Sequence, residues 1–300
     1  MNDAPFTAST AEPALPPAPT AWNSPGFRRF RRHKLAVFGA AAIVTMTLAC
    51  IFGPMLLPYN DTFIDIRQRF APPFSGPHVL GTDPLGRDIL ARLLMAGRIS
   101  LAVGFSAMII SMAIGIFVGM VAGFYEGAIG ATLMRFVDAM LCFPSIFLLL
   151  AISALISPSV PSIVMLIAMT SWMEVARVVE AQMRSLRRRE FAQAAVAMGA
   201  SNARIMVREL LPNAVAPIVV AATLNVAHAI LAESYISFLG YGIQPPTPSW
   251  GNMLEGAQSY LTSAPWLAIL PGAAITLAVT SFNFVGDGLR DALDPRMDLP

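Results

Sequence analysis

Few side chains in this sequence are of a kind and spacing to do covalent chemistry. Lys34 is the only lysine. A glycine-rich phosphate loop ending in Lys-Ser or Lys-Thr therefore cannot be built, and any ATP hydrolysis must come from another chain. His33, His78 and His228 are scattered and lack metal-ligand spacing. Cys50 and Cys142 lie inside apolar runs and read as small hydrophobes. Thr47-Leu48-Ala49-Cys50 is faintly like a lipoprotein cleavage site, but it lies far from Met1 and the apolar run continues to Leu57, which also argues against a cleaved signal peptide. Three polar constellations remain. Asp83, Arg87 and Asp88 could form a binding site or could cap a helix and pair on its surface. Asn225, His228 and Glu233 stand inside an apolar run, where polar groups face a helix bundle or a water-filled path. Glu233 is thus a candidate for a translocation path; the alternative is a carboxylate near the outer interface, neutral or paired with a neighbouring helix. The third constellation is the loop Arg184 to Asn213, opened by Arg184, Arg187, Arg188 and Arg189.

The elements that must position these groups are membrane spans. The chain is 56% hydrophobic and 13% charged, with mean hydropathy +0.63, whereas charged residues approach a quarter of a soluble domain. Residues 1–26 are rich in Pro, Ala, Thr and Ser and read as a disordered tail. The cluster RRFRRHK (28–34) could bind nucleic acid, but directly before a span it reads as a cytoplasmic anchor to membrane lipid. Residues 1–34 are accordingly a tail with a basic anchor. The first span is Leu35–Leu57 and is followed by a proline-rich connection, 58–98. Within that connection Asp83 is positioned to cap a helix with Pro84 at its first position.

Five further spans occupy 99–289. The second, Ile99–Phe124, carries Gly115, Gly119 and Gly123 as a ridge for close helix packing. The third, Phe136–Ile156, is expected to kink at Pro144, with Arg135 and Asp138 paired on one face. The fourth starts near Val160 and is interrupted by Glu174 and Arg177, again three apart. The fifth is Ala214–Phe238. Residues 239–264 hold three prolines in five residues, which exclude a regular helix, and Trp250, Tyr260 and Trp266 suit an interfacial aromatic belt. The sixth span is Leu267–Val285, with a polar tail, 290–300, at the end. Six spans place both termini on one side. Fifteen Lys and Arg residues fall on that side and five on the other, which puts the termini and the Arg184–Asn213 loop in the cytoplasm.

Locally that loop reads as helix, tight turn, helix. Gly199 can take the left-handed conformation that ends a helix. Ser201 can cap the next, and Pro212 fits the first turn of another. Its Ala-rich surface suits either a groove on another protein or a solvated linker.

This loop resembles the EAA loop of bacterial ABC importer permeases. Gln193-Ala194-Ala195 stands for Glu-Ala-Ala, Gly199 for the glycine and Leu211-Pro212 for the ending, while Gln193 and Glu209 replace a Glu and an Ile of the pattern. Further likeness lies in GTDPLGRD (81–88), LMRFVDAMLCFPS (133–145), SFLGYGIQPPTPSWGNML (237–254), SAPWL (263–267) and GDGLRDALDPR (286–296). Together these resemble the second permease subunit of the oligopeptide/dipeptide/nickel branch. The resemblance implies an all-α integral membrane protein with six transmembrane helices and the type I ABC importer permease fold, in the bacterial inner membrane. It implies a coupling loop, with Gln193, Ala194, Ala195, Gly199, Ala200, Ser201, Leu211 and Pro212 docking an ATPase. It implies a homologous permease as heterodimer partner, two ATPase subunits that use ATP and Mg, and an extracytoplasmic solute-binding protein. No cofactor or metal is expected on this chain, no nucleic acid as partner, and no bond-changing activity. The substrate would be a dipeptide, a longer peptide, a nickel chelate or another small solute. The rival readings are an ion-gradient-driven secondary transporter, for which paired ionisable residues in internal repeats are expected and not found, and a membrane scaffold.

Overall fold

The structure is a computed structural model that describes residues 25–293. The tail expected over 1–24 and the last residues of the polar tail, 294–300, lie outside the described residues. In hydrocarbon a backbone must satisfy its own hydrogen bonds, so uninterrupted apolar runs become helices. In chain order these are α1 (Pro25–Arg32), α2 (Lys34–Leu56), α3 (Ile89–Phe124), α4 (Ala128–Leu141), α5 (Ser145–Ser153) and α6 (Val160–Arg187). There follow α7 (Glu190–Ala197), α8 (Asn202–Arg204), α9 (Leu211–Asn213), α10 (Val215–Phe238), α11 (Trp250–Leu254) and α12 (Trp266–Leu293). No strand occurs among the described residues. Among the described residues five helices (α2, α3, α6, α10 and α12) are long and apolar enough to cross a membrane; α4 and α5, bent by 78°, make a sixth span if taken as one broken crossing.

Several boundaries differ from the sequence expectation. The basic cluster is not part of a disordered tail. It winds into α1, which packs on the end of α12, where the Phe30 ring lies against Gly288. Helix α3 begins at Ile89, ten residues before the expected Ile99, because its first turns are capped and buried rather than continuously apolar. Its cap is Asp88, whose Oδ1 accepts the Ala91 amide at 2.7 Å, and not Asp83. Pro144 does more than kink the third span: it separates α4 from α5. Helix α12 runs on to Leu293, so part of the expected tail is helical. One expected pairing is replaced by a partner distant in sequence: Asp138 pairs with Arg177 of α6 rather than with Arg135. Glu174, which interrupts the fourth span, lies 3.8 Å from His228 of α10.

The scaffold is centred on α3, which packs most extensively on α6. Between lipid-exposed helices there is no hydrophobic driving force, so contact depends on close backbone approach. The glycine ridge supplies it. A Cβ at Gly115 would fall 2.6 Å from that of Val175, and one at Gly123 would fall 2.6 Å from the Glu180 carbonyl oxygen. Helices α10 and α12 close the other side of α3, and α2 lies along α12 with Phe38, Val44, Leu48 and Phe52 exposed on its outer face. Helix α6 thus reaches the Arg184–Asn213 loop as a braced rod, and α10 leads away from it.

Candidate functional site

The loop is a helical elbow. Helix α7 ends in a Schellman motif: the Gly199 amide donates to Val196 O at 2.9 Å and the Ala200 amide to Ala195 O at 3.1 Å. This closure requires a left-handed residue, and Gly199 has φ +76°. Ser201 then caps α8, accepting the Arg204 amide at 3.4 Å. The chain does not start a separate helix at Pro212. Ile205–Leu210 form a π-helical turn that runs through α9 into α10. The wider turn precedes Pro212, which brings no amide donor, and Asn213 Nδ2 instead donates to Glu209 O at 2.6 Å.

The elbow has two faces. Ala192, Ala195, Ile205, Met206 and Leu210 point inward and pack on Phe124, Val179 and Met183. Gln193, Ala194, Gly199, Ser201 and Pro212 are exposed, while Ala200 and Leu211 are half-buried. Ala195 therefore belongs to the packed face and not to the outer surface. What sequence reasoning missed is the outward apolar set, Val196, Met198 and Val207, of which Met198 is 82% exposed. The i, i+3 spacing of Ala192 and Ala195 held the signal for which face turns in.

The arginines at the base divide into two roles. Arg187 donates to Phe124 O, lies over the Phe124 ring at 5.0 Å and approaches Glu126 to 3.9 Å. Arg188 reaches Glu126 at 3.5 Å. These contacts fasten the end of α6 to the end of α3. Arg184 pairs with Glu180 one turn back and remains half-exposed.

At the opposite end of the bundle, Asp83 and Asp88 serve as caps, and Asp83 and Arg87 also line an open cavity of about 280 Å³. Asp83 Oδ1 accepts the amides of Leu85 (2.8 Å) and Arg87 (3.0 Å), and its Oδ2 takes Arg87 Nε at 2.6 Å. Asp88 Oδ2 lies 2.8 Å from Nδ1 of the buried His78, whose ring packs on Tyr59. Trp250 is not a belt residue. It is 1% exposed, with its indole N–H donating to Leu93 O at 3.1 Å, because the Pro-rich segment folds back onto the first turns of α3. Trp266 Nε1 faces Thr82 O at 3.5 Å, and Tyr260 packs on Phe70.

Asn225, His228 and Glu233 are not brought together. His228 is exposed beside Glu174. Asn225 is buried and accepts Ser111 Oγ at 2.8 Å. Glu233 is fully enclosed, with 0% exposure. Its Oε2 accepts Ser100 Oγ at 3.0 Å and its Oε1 accepts Ser237 Oγ at 2.7 Å. Ser237, four residues along the same helix, was within reach of the sequence, whereas Ser100, 133 residues away, was not.

Comparison with known proteins joins these features. Residues 115–299 match the family described as binding-protein-dependent transport system inner membrane component. Residues 24–73 match the N-terminal TM domain of oligopeptide transport permease C. The chain is 40% identical over 294 residues to the dipeptide transport system permease protein DppC of Alkalihalophilus pseudofirmus, covering 96% of each chain. It is 38% identical over 278 residues to the di/tripeptide transport system permease protein DppC of Pseudomonas aeruginosa, covering 90% of this chain and 91% of that one.

Proposed function

The chain belongs to the inner-membrane permease components of binding-protein-dependent ABC importers, as a second-subunit type of the oligopeptide and dipeptide branch, and from that membership we propose how it works and with what. Peptides of a few residues, or related small solutes, are the substrate class, delivered by a solute-binding protein. The chain forms half of the translocation path and a homologous permease forms the other half. Two ATPase subunits bind ATP and Mg, and this chain changes no bond. Both termini and the elbow face the cytoplasm, in keeping with the distribution of Lys and Arg.

The observation that carries this reading is the elbow itself. Its packed face makes it rigid with α3 and α6, while Ala194, Gly199 and Ser201 present small side chains, with Gln193 beside them, that a groove on an ATPase can accept closely. When ATP draws the two ATPases together, the elbow moves with its ATPase. The braced α6 and the continuous passage into α10 carry that movement into the bundle, which opens outward to receive substrate. Hydrolysis and release return it. An open cavity of about 710 Å³ beside the elbow, lined by residues including Gln182, Asn213, Pro217, Leu224 and Arg290, supports placing part of the path along α6, α10 and α12. The enclosure of Glu233 disfavours an ion-gradient carrier that would use it as a proton relay.

Cross-linking tests the assignment. Single cysteines replace Ala197, Ser201 and Arg204 in a chain lacking Cys50 and Cys142, opposite cysteines on the ATPase groove. Cross-links whose yield changes with ATP are expected. An elbow that never meets an ATPase would overturn the reading.

A further inference from the structure

Glu233 is buried among serines that come from three parts of the chain. Ser100 belongs to α3, Ser237 to α10 and Ser249 to the segment 239–254 that folds back between them. Ser100 and Ser237 donate to the carboxylate, one to each oxygen. Each of the three serine oxygens also accepts a backbone amide of that segment. Trp250 N donates to Ser100 Oγ at 3.1 Å, Ile243 N to Ser237 Oγ at 3.1 Å and Asn252 N to Ser249 Oγ at 3.1 Å. Through Ser100 and Ser237 the polarity therefore runs one way, from loop amide to serine to carboxylate.

Only a group that accepts on both oxygens can end both of these chains. We infer that Glu233 is a positioning residue: by orienting Ser100 and Ser237 it fixes the shape of the 239–254 segment, which lies at the end of the bundle opposite the elbow, the end that receives the solute-binding protein in the reading above. This inference rests on the permease reading and orientation proposed above. A carboxamide would turn an NH₂ donor toward a hydroxyl that already donates. That hydroxyl would have to rotate, leaving its hydrogen without an acceptor in a site closed to water. The rest of the segment is built to be held at these points. Asn252 Nδ2 bridges Ile243 O (2.9 Å) and Thr247 O (2.8 Å). The Trp250 indole is sunk against Gly97, and Gly251 passes close to Ser234, where a Cβ would fall 2.5 Å from its carbonyl oxygen. Losing the carboxylate leaves these contacts in place and loosens the ties that run through Ser100 and Ser237.

The test uses the complete complex, with partner permease, ATPases and binding protein, in lipid nanodiscs, with Glu233→Gln and Ser237→Ala compared with wild type. Hydrogen exchange of 239–254 is measured together with ATP hydrolysis as a function of binding-protein concentration. For Glu233→Gln, exchange at the Ile243 and Trp250 amides should rise about tenfold, as for loss of one buried hydrogen-bond partner. The binding-protein concentration for half-maximal stimulation should rise severalfold, with the maximal rate retained. Ser237→Ala, which keeps the carboxylate but removes the acceptor of the Ile243 amide, should raise exchange at Ile243 at least as much, leave Trp250, tied through Ser100, nearer wild type, and shift the half-maximal concentration by less. The inference fails if Glu233→Gln lowers the maximal rate with loop exchange unchanged and Ser237→Ala silent, since that describes a path-lining carboxylate. It fails equally if exchange rises throughout the bundle. A wild-type complex whose ATP hydrolysis ignores the binding protein would instead sink the permease reading and leave the exchange result to judge the hydrogen-bond chain alone.

Discussion

The elbow at 190–213 and the folded-back segment at 239–264 are both breaks between long helices, yet they are built in opposite ways. The elbow packs one apolar face inward, closes with backbone bonds around Gly199 and leaves on its outer surface small and apolar side chains interspersed with Gln193, Arg204 and Arg208. The far segment turns polar groups inward, onto Ser100, Ser237 and Glu233, and buries its one tryptophan, Trp250, against α3. A surface that must be gripped by another protein gains from having its own hydrogen bonds already satisfied. A segment that must keep one shape beside solvent gains from bonds directed into the bundle, where unpaired polar groups are costly and so geometry is fixed.

Substitutions can break this contrast. Trp250→Ala should have the largest effect on stability. Emptying that site removes the packing on Gly97 and the bond to Leu93, at a cost of about 3–5 kcal/mol. A fall in thermal stability of the purified protein, with loosening confined first to 239–264, checks it, and an unchanged melting temperature would show that the segment is not held there. Gly199→Val comes next. A β-branched residue at φ +76° strains the turn by about 1–3 kcal/mol. ATP-driven uptake should be lost while membrane insertion and exchange at 239–264 stay as in wild type. Wild-type uptake by this variant would remove the elbow from coupling.

Arg187→Ala should matter less. It removes the bond to Phe124 O and the contact over the Phe124 ring, about 1 kcal/mol at a partly exposed site. Faster exchange at 187–192 and a modest drop in uptake are expected. Gln193→Glu should be smallest of all. The side chain is exposed and its amide makes one long bond, 3.3 Å to Arg188 O. Uptake and stability should stay near wild type, and a marked gain would mean that the ATPase reads a carboxylate at this position.

The elbow was readable in the sequence because its controls are local. Gly199 ends α7, Ser201 caps α8 and Pro212 withholds an amide, all within about four turns. The glycine ridge was readable for the same reason: its period lies on one helix. The far segment was not. Nothing near Trp250 distinguishes an interfacial aromatic from one sunk against Gly97, and the serines that hold Glu233 are spread over α3 and α10. Asp83 and Asp88 illustrate the limit. Both have capping chemistry, and only the fold of 58–88 decides that Asp83 closes a turn while Asp88 starts α3. Asp138 likewise had a suitable arginine three residues away, and the fold gave it Arg177 instead.

The break between α4 and α5 has a consequence for the surroundings of the molecule. At 1.5 Å per residue the 14 residues of α4 reach roughly 21 Å and the 9 residues of α5 roughly 14 Å, so neither limb alone crosses a hydrocarbon layer of about 30 Å. Taken as one crossing, they place the corner at Cys142, Phe143 and Pro144 at depth, where Pro144 offers no amide hydrogen to the turn before it. Acyl chains offer none either. Carbonyls without donors are tolerated at that depth only against protein or water. Lipid is therefore the one neighbour this corner rejects, although Phe143 and Phe147 beside it are exposed and apolar.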